Sequence, residues 1–113
     1  MKALVFGATG LVGEHLVNLL VREERYQFIT LLNRKNLALD HAKLSQKEVD
    51  FSSIGNYKEE FSVDHVFCCL GTTIKRAKSQ DAFRSVDHDL VVQLARLSQE
   101  GGAAHFLFVS AMG

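Results

Sequence analysis

Apolar and polar residues alternate along the chain in blocks that predict five short strands. Each apolar run has the length of a buried strand and is followed by polar or helical sequence. The runs cover residues 3–6, 28–32, 49–51, 63–70 and 105–110. Continuous apolar runs of this kind are typical of parallel strands that are buried on both faces of a sheet.

Two longer segments have helical periodicity, residues 11–24 and residues 79–100. The apolar positions predicted to share a face are Val12, Leu16, Leu19 and Leu20 in the first segment, and Val86, Leu90, Val91, Leu94 and Leu97 in the second. Two adjacent glycines, at positions 101 and 102, follow the second segment, as expected at a helix end. Residues 53–61 are predicted to form a short helix or turn, and no element is predicted for the mostly polar residues 34–47.

Strands that alternate with helices predict a parallel sheet with helices on both faces. Because crossovers between parallel strands are right-handed, we expect a doubly wound α/β sheet with the strand order 3-2-1-4-5. The chain has 113 residues, and no proline occurs among them to mark a linker. The sequence therefore predicts a single domain that spans residues 1–113.

Three glycines separate the first strand from the first helix, in the stretch VFGATGLVGEHL. The N-terminus of a helix carries unpaired N–H groups and a partial positive charge, which suit a phosphate. Gly7 would allow a tight turn, Gly10 a close approach of the backbone to a pyrophosphate, and Gly13 close packing of the helix on the sheet. The loop predicts a dinucleotide site; the alternative is a glycine-rich turn that only connects the two elements.

The end of the second strand indicates which dinucleotide is bound. Sites for NAD usually place an acidic residue about 20 residues beyond the glycine motif. Residues 27–39 contain no Asp or Glu, and Asp40 lies just beyond them. Arg34 and Lys35 follow the strand instead, at the place where a 2′-phosphate would lie. The sequence favours NADP over NAD, and the alternative interpretation is a solvated basic loop.

The overall charge gives no reason to expect a polyanionic partner. Lys and Arg total 13 and Asp and Glu total 13, so the formal net charge is zero. We therefore do not expect nucleic acid or an anionic membrane as a partner, and no segment has the length of a membrane span. The five histidines show no metal-ligand spacing, so no metal site is expected.

The two cysteines and the N-terminal segment bear on the location of the protein. Cys68 and Cys69 are adjacent, so on a strand they would point to opposite faces and could not easily form a disulfide with each other. Free thiols fit a reducing compartment. Glu14 and His15 interrupt the apolar N-terminal segment, which argues against a signal peptide. We expect a cytoplasmic protein whose cysteines pack within the core.

Six motifs along the chain resemble those of the atypical short-chain dehydrogenase/reductases, in particular the NmrA-like, Tat-interacting-protein branch. In chain order the motifs are GATGLVG, LLNRK, VDF, FCCLGTT, FRSVDHDLV and HFLFVSAMG. The resemblance covers nearly the whole chain and implies a Rossmann-like fold. The motif GATGLVG alone is shared with the wider NmrA-like and epimerase groups.

The resemblance implies cofactor contacts at the ends of the first and third strands. Thr9, Leu11 and Val12 would contact the pyrophosphate. Asp50 and Phe51 would border the adenine, although Asp50 could equally be a turn residue at the end of a strand.

The resemblance also implies roles after the fourth and fifth strands. Leu70, Gly71, Thr72 and Thr73 would border the ribose on the nicotinamide side, and the alternative is that the two threonines only cap or solvate a loop. Ser110 matches the position of the family's catalytic serine, which hydrogen-bonds the substrate carbonyl.

The implied activity is hydride transfer between NADP(H) and a small carbonyl compound or alcohol. The family's proton donor is a Tyr with a Lys four residues later, but Tyr26 and Tyr57 are followed at that spacing by Thr30 and Phe61. We therefore expect the chain to be the cofactor-binding part of a longer oxidoreductase and to be inactive by itself. The alternatives are a non-catalytic NADP(H)-binding regulator that acts through protein partners and an epimerase-like enzyme that acts on sugar nucleotides.

The last predicted strand suggests a homo-oligomer. The sequence ends at SAMG, directly after this strand, where relatives would continue with further helix and sheet. The strand would therefore present an apolar edge, and such edges tend to pair with another chain. We expect a second copy to cover it.

Overall fold

The computed structural model describes residues 1–7, 11–33, 41–69 and 80–108, with the side chains of residues 11–12 and 80–88 excepted. Its elements are β1 (Lys2–Phe6), α1 (Leu11–Arg22), β2 (Phe28–Asn33), β3 (Leu44–Glu48), a 3-10 segment (Phe51–Phe61), β4 (His65–Cys68), α2 (Gln80–Gly101) and β5 (His105–Phe108). The strands form one parallel sheet in the order β3-β2-β1-β4-β5. The predicted doubly wound α/β fold and its strand order are confirmed.

Strand β1 lies at the centre of the sheet and is buried on both faces. Ala3 and Val5 pack in an apolar cluster with α1, whereas Leu4 and Phe6 pack in a second cluster with α2 and the 3-10 segment. All four side chains are almost fully buried. A parallel strand that is covered on both faces needs an apolar residue at every position, which is why β1 appears in the sequence as a continuous apolar run.

Helix α1 buries a face that coincides only in part with the predicted one. Val17 and Leu20 are buried against the sheet and Leu16 is partly buried beside them, whereas Leu19 is 53% exposed. Leu19 and Leu20 point about 100° apart around the helix axis, so a narrow apolar stripe cannot include both. The buried face instead runs through Gly13, Val17 and Leu20, at helical spacing.

Helix α2 confirms most of its predicted apolar face. Leu94 and Leu97 are buried in the apolar cluster that also contains side chains of the 3-10 segment, and Leu90 and Val91 pack against this cluster. The side chain of Val86 lies outside the described residues.

The predicted glycine pair ends helix α2. Gly102 has a left-handed backbone with φ of +91°, its N–H donates to the carbonyl of Gln99 at 3.1 Å, and the N–H of Ala103 donates to the carbonyl of Ser98 at 3.0 Å. This pair of bonds is a Schellman motif, which satisfies the last carbonyls of the helix.

The third strand differs from the prediction. It spans Leu44–Glu48, within the polar segment for which the pattern predicts no element, rather than residues 49–51. In the described part of the chain β3 pairs only with β2, so its largely solvated side chains leave no apolar run in the sequence. Val49 and Phe51 are apolar because the chain turns into the core after β3, where both are buried.

The C-terminus of α2 lies against the end of the 3-10 segment, and this contact depends on Gly101. A Cβ at Gly101 would lie 2.2 Å from the carbonyl oxygen of Phe61. We expect Gly101→Ala to lower the free energy of unfolding by about 1–3 kcal/mol, the usual cost of overpacking, as measured by urea denaturation. The control is Gly55→Ala, because a Cβ there would meet no atom within 4 Å. Equal stability of the two variants would contradict the close approach.

Candidate functional site

The carboxyl ends of the five strands lie at one edge of the sheet, and the chain crosses over next to β1. From β1 the chain passes outward through β2 and β3 and then returns to β4 on the other side of β1. Phe6 and Cys68, the last residues of β1 and β4, are register partners. In doubly wound sheets ligands bind in the crevice that opens beyond such a crossover. The geometry therefore places a candidate site beyond Phe6 and Cys68.

Gly7 follows β1 directly and has a left-handed backbone, with φ of +73°. This conformation suits the tight turn that the sequence predicts at Gly7. Residues 8–10 connect this turn to α1, which has 12 residues and begins at Leu11. The positive end of the α1 dipole and the unpaired N–H groups of its first turn therefore lie at the carboxyl edge of the sheet.

The first turn of α1 contains three of the predicted cofactor-binding residues. Gly13 is buried on the face that packs against the sheet, as the predicted close packing of helix and strand requires. The backbones of Leu11 and Val12 open the helix, and their side chains lie outside the described residues. The predicted phosphate contacts of these two residues stay predictions.

Asp50 and Phe51 turn the chain from β3 into the core. Oδ1 of Asp50 accepts hydrogen bonds from the N–H of Ser52 at 3.0 Å and from its hydroxyl at 2.8 Å, which caps the 3-10 segment. Phe51 is only 6% exposed, and its ring contacts Phe6 edge-on with 6.3 Å between the centroids. The predicted adenine contact is untested, and for Phe51 it would have to come from the backbone because the ring lies in the core.

Asn33 is a residue at this edge that the sequence does not reveal. It ends β2, is 1% exposed, and its carbonyl accepts a hydrogen bond from the N–H of Val49 at 2.8 Å. This bond joins the end of β2 to the segment that leads to Asp50. In the sequence Asn33 stands between the apolar run of the second strand and the two cations of LLNRK, so nothing in the pattern indicates that it is buried.

Cys69 extends the pairing of β4 with β1 toward the candidate site, because its N–H donates to the carbonyl of Phe6 at 2.9 Å. Cys68 is buried in the cluster on the α2 side, whereas Cys69 packs against the cluster on the α1 side. This packing confirms the prediction that the two side chains face opposite sides of the strand, and both are free thiols. Burial raises the pKa of the Cys69 thiol, so the reactive thiolate is disfavoured near neutral pH.

The two tyrosines lie in different parts of the structure. The hydroxyl of Tyr26 lies 2.7 Å from Nδ1 of His65, at the opposite, amino edge of the sheet where β4 begins. Tyr57 belongs to the 3-10 segment and packs against the core.

The other predicted site residues lie outside the described part of the chain. They are Thr9, Gly10, Arg34, Lys35, Leu70, Gly71, Thr72, Thr73 and Ser110. Within residues 1–7, 11–33, 41–69 and 80–108, no group of three or more His, Cys, Asp or Glu residues could hold a metal ion. Over the same ranges no helix combines the length and the apolar character needed to cross a membrane.

The chain is similar to one protein family along almost its whole length and to individual members of known sequence. The model of the NAD dependent epimerase/dehydratase family matches residues 3–113. Protein HTATIP2 of Rattus norvegicus is 34% identical over 116 residues, which cover 99% of this chain and 48% of that protein. Protein FMP52, mitochondrial, of Candida glabrata is 32% identical over 113 residues, which cover 98% of this chain and 48% of that protein. The chain thus spans about half the length of the curated relatives it matches.

The fold is also similar to that of solved structures. A short-chain dehydrogenase/reductase superfamily protein from Agrobacterium tumefaciens, solved with bound NAD, superposes with a TM-score of 0.75 at 16% identity. The match covers 96% of this chain and 32% of that protein. At this identity the likeness shows the Rossmann-like fold alone.

The relatives contradict the prediction of a cytoplasmic location. FMP52 of Candida glabrata and further FMP52 proteins are named mitochondrial. The prediction was wrong because it used free thiols and the absence of signal-peptide features as its evidence. Free thiols argue against an oxidising compartment, but they do not distinguish one reducing compartment from another.

The left-handed backbone at Gly7 can be tested through protein stability. A residue other than glycine costs about 1–2 kcal/mol in the left-handed backbone region, and Asn adopts this conformation more readily than Ala does. We expect Gly7→Ala to lower the free energy of unfolding by about that amount, and Gly7→Asn to lower it less. Urea denaturation of both variants measures the difference. If the Gly7→Ala and Gly7→Asn variants have the same free energy of unfolding, Gly7 does not have the described φ.

Proposed function

The chain belongs to the NAD-dependent epimerase/dehydratase family, and from this membership we propose that it is the NADP(H)-binding part of an oxidoreductase of the short-chain dehydrogenase type. The observation that supports this proposal best is the turn at Gly7. It directs the N-terminus of α1 to the carboxyl edge of the sheet, beside the crossover between β1 and β4. A pyrophosphate is the ligand that such a helix terminus suits.

The phosphates would lie over the loop between β1 and α1. The N–H groups of the first turn of α1, which begins at Leu11, have no partners within the helix and would donate to the phosphate oxygens. The glycine at position 10 would keep the approach to this turn clear of a side chain, and the hydroxyl of Thr9 would add a further donor. Gly13, which is buried, allows the helix to lie close to β1.

The choice of NADP over NAD rests on the end of β2. Arg34 and Lys35 directly follow Asn33, which is buried and is joined to Val49 through its backbone carbonyl. This anchor would fix the point from which the two cations reach the 2′-phosphate. A guanidinium can donate two parallel hydrogen bonds to one phosphate. No acidic residue occupies residues 27–39, where NAD-binding sites usually carry one.

The remaining parts of the cofactor would extend along the same edge toward β4 and β5. Asp50 and the backbone of Phe51 would border the adenine, and Leu70, Gly71, Thr72 and Thr73, which follow Cys69, would border the ribose on the nicotinamide side. The bound nicotinamide supplies the hydride chemistry. Ser110 follows β5, the neighbour of β4, and would donate a hydrogen bond to the carbonyl oxygen of a small substrate.

The proton donor is the part of the reaction that these residues do not supply. Tyr26 lies at the amino edge, and neither Tyr26 nor Tyr57 is followed four residues later by a Lys. We therefore propose that the 113-residue chain binds the cofactor but does not turn over a carbonyl substrate by itself. A non-catalytic regulator that binds NADP(H) and acts through protein partners is the second candidate, and the observation that favours it is that neither tyrosine of this sequence is followed four residues later by a Lys.

Cofactor titrations test the role of the basic residues after β2. Binding of NADPH and NADH is followed by nicotinamide fluorescence for the unaltered chain and for Arg34→Glu. Because a charge-assisted hydrogen bond contributes about 1.5–3 kcal/mol, we expect Arg34→Glu to weaken NADPH binding roughly 10-fold to 100-fold and to leave NADH binding almost unchanged.

The matched control is Arg96→Glu, which makes the same change of charge at an exposed position on α2. Equal affinity of the unaltered chain for the two cofactors, or equal losses in the two variants, would contradict the NADP assignment. The same samples, assayed with a panel of carbonyl compounds, should show no turnover. Measurable reduction would show that a proton donor has been overlooked.

We also propose that a second copy of the chain covers strand β5. In the described part of the chain β5 pairs only with β4. Leu107 is 43% exposed and Phe108 is 47% exposed, on opposite faces of this strand. An apolar edge strand of this kind is a template for pairing with another chain.

Sedimentation equilibrium tests this pairing. We expect a dimer for the unaltered chain and a monomer for Leu107→Glu, because a carboxylate would have to be buried in the interface. Val92→Glu is the control, since Val92 is similarly exposed at 42% but lies on α2. A monomer at high concentration for the unaltered chain contradicts the proposal, as does a dimer that Leu107→Glu leaves intact.

A further inference from the structure

The amino edge of the sheet, opposite the proposed cofactor site, brings two histidines together. His65 is the first residue of β4 and His105 is the first residue of β5, and the two are register partners in the sheet. Their ring centroids lie 5.0 Å apart, with an angle of 57° between the ring planes. The two residues are distant in sequence, so only the pairing of the strands places the two imidazoles side by side.

Tyr26 holds the ring of His65 in place. Its hydroxyl lies 2.7 Å from Nδ1 of His65, and its ring packs edge-on against His65 and Phe67 with centroid distances of 5.7 and 6.2 Å. Tyr26 is itself 8% exposed, so the partner of Nδ1 is fixed by the core. In metal sites the second ring nitrogen of a ligating histidine is oriented by such a hydrogen bond, which leaves the other nitrogen to bind the cation.

We propose that His65 and His105 together bind one divalent cation of the zinc type. His65 would bind through Nε2, with Nδ1–H donating to the hydroxyl oxygen of Tyr26. His105 is exposed, so the cation can approach from solvent. Neutral imidazole is a preferred ligand of zinc and of the neighbouring transition metals.

Water would complete the coordination, because no third side chain of ligand type joins the pair among the described residues. Asp64 precedes His65, and its Oδ2 accepts a hydrogen bond from the N–H of Lys2 at 2.7 Å. A two-histidine site of this kind is open to solvent. A bound cation would link the first residue of β5 to the first residue of β4. Because a cation that binds only the folded state stabilises that state, it would raise the stability of the chain.

Calorimetric titration with Zn²⁺ tests the site on the complete chain. We expect one bound Zn²⁺ per chain and a melting temperature that rises with the Zn²⁺ concentration. His65→Ala and His105→Ala should each abolish this binding. Tyr26→Phe keeps the ring but removes the hydroxyl, and should weaken binding by about 10-fold to 100-fold, as the loss of an orienting partner does.

The matched controls are His15→Ala and His41→Ala, which remove exposed histidines on other parts of the chain, and Cys69→Ser, which removes the half-buried thiol. All three should bind Zn²⁺ like the unaltered chain. Binding that survives His105→Ala, or that any of the controls abolishes, overturns the proposal.

A second measurement does not depend on the folding of any variant. In the unaltered chain, Zn²⁺ should shift the imidazole proton resonances of His65 and His105 in the NMR spectrum and leave those of His15 and His41 in place. If the resonances of His65 and His105 do not move, the cation binds elsewhere and the proposal is wrong. Neither experiment involves the dinucleotide, so the outcome is independent of the proposed function.

Discussion

The burial of β1 on both faces is the constraint on which the rest of the structure depends. Leu4, Val5 and Phe6 have no exposed surface, and each such apolar side chain contributes roughly 1.5–3 kcal/mol when it leaves water. The strand also pairs with β2 on one side and with β4 on the other. Its carboxyl end is therefore held from four directions. The turn at Gly7 starts from this fixed point and leads toward α1.

The other described residues of the candidate site follow strands that are held in the same sheet as β1. The N–H of Cys69 reaches the carbonyl of Phe6, so the segment that follows β4 leaves the sheet next to Gly7. On the other side, the buried Asn33 joins the end of β2 to Val49, just before Asp50. Residues that bind ligands commonly lie on loops that a rigid scaffold positions. The hydrogen bonds between strand ends provide that positioning here.

Burial decided which parts of the fold could be predicted from the sequence. Strands β1, β2 and β4 pack against apolar clusters on both faces and therefore appear as apolar runs, whereas β3 pairs only with β2 among the described residues and its polar sequence hides it. The prediction for α1 included Leu19 in the buried face, whereas Val17 is the buried residue. Helical spacing is compatible with either residue, and only packing against the sheet distinguishes them. The glycine turn at Gly7 was predictable because its chemistry is local. The burial of Asn33 and the pairing of His65 with His105 were not, since both depend on register between strands.

Both edges of the sheet are fastened by hydrogen bonds between strand ends, and at the amino edge Asp64 makes most of them. At the amino edge the carboxylate of Asp64 accepts from the N–H of Lys2 at 2.7 Å, its N–H donates to the carbonyl of Lys2 at 3.0 Å, and its own carbonyl accepts from the N–H of Ala104 at 2.8 Å. One residue thus links the beginnings of β1, β4 and β5. A cation on the two histidines would add a further link at an edge that is already held by hydrogen bonds, so its effect would be on stability. The carboxyl edge is also held by backbone hydrogen bonds, from the N–H of Cys69 to the carbonyl of Phe6 at 2.9 Å and from the N–H of Val49 to the carbonyl of Asn33 at 2.8 Å. A cofactor at the carboxyl edge and a cation at the amino edge would therefore both meet strands that hydrogen bonds already hold in register.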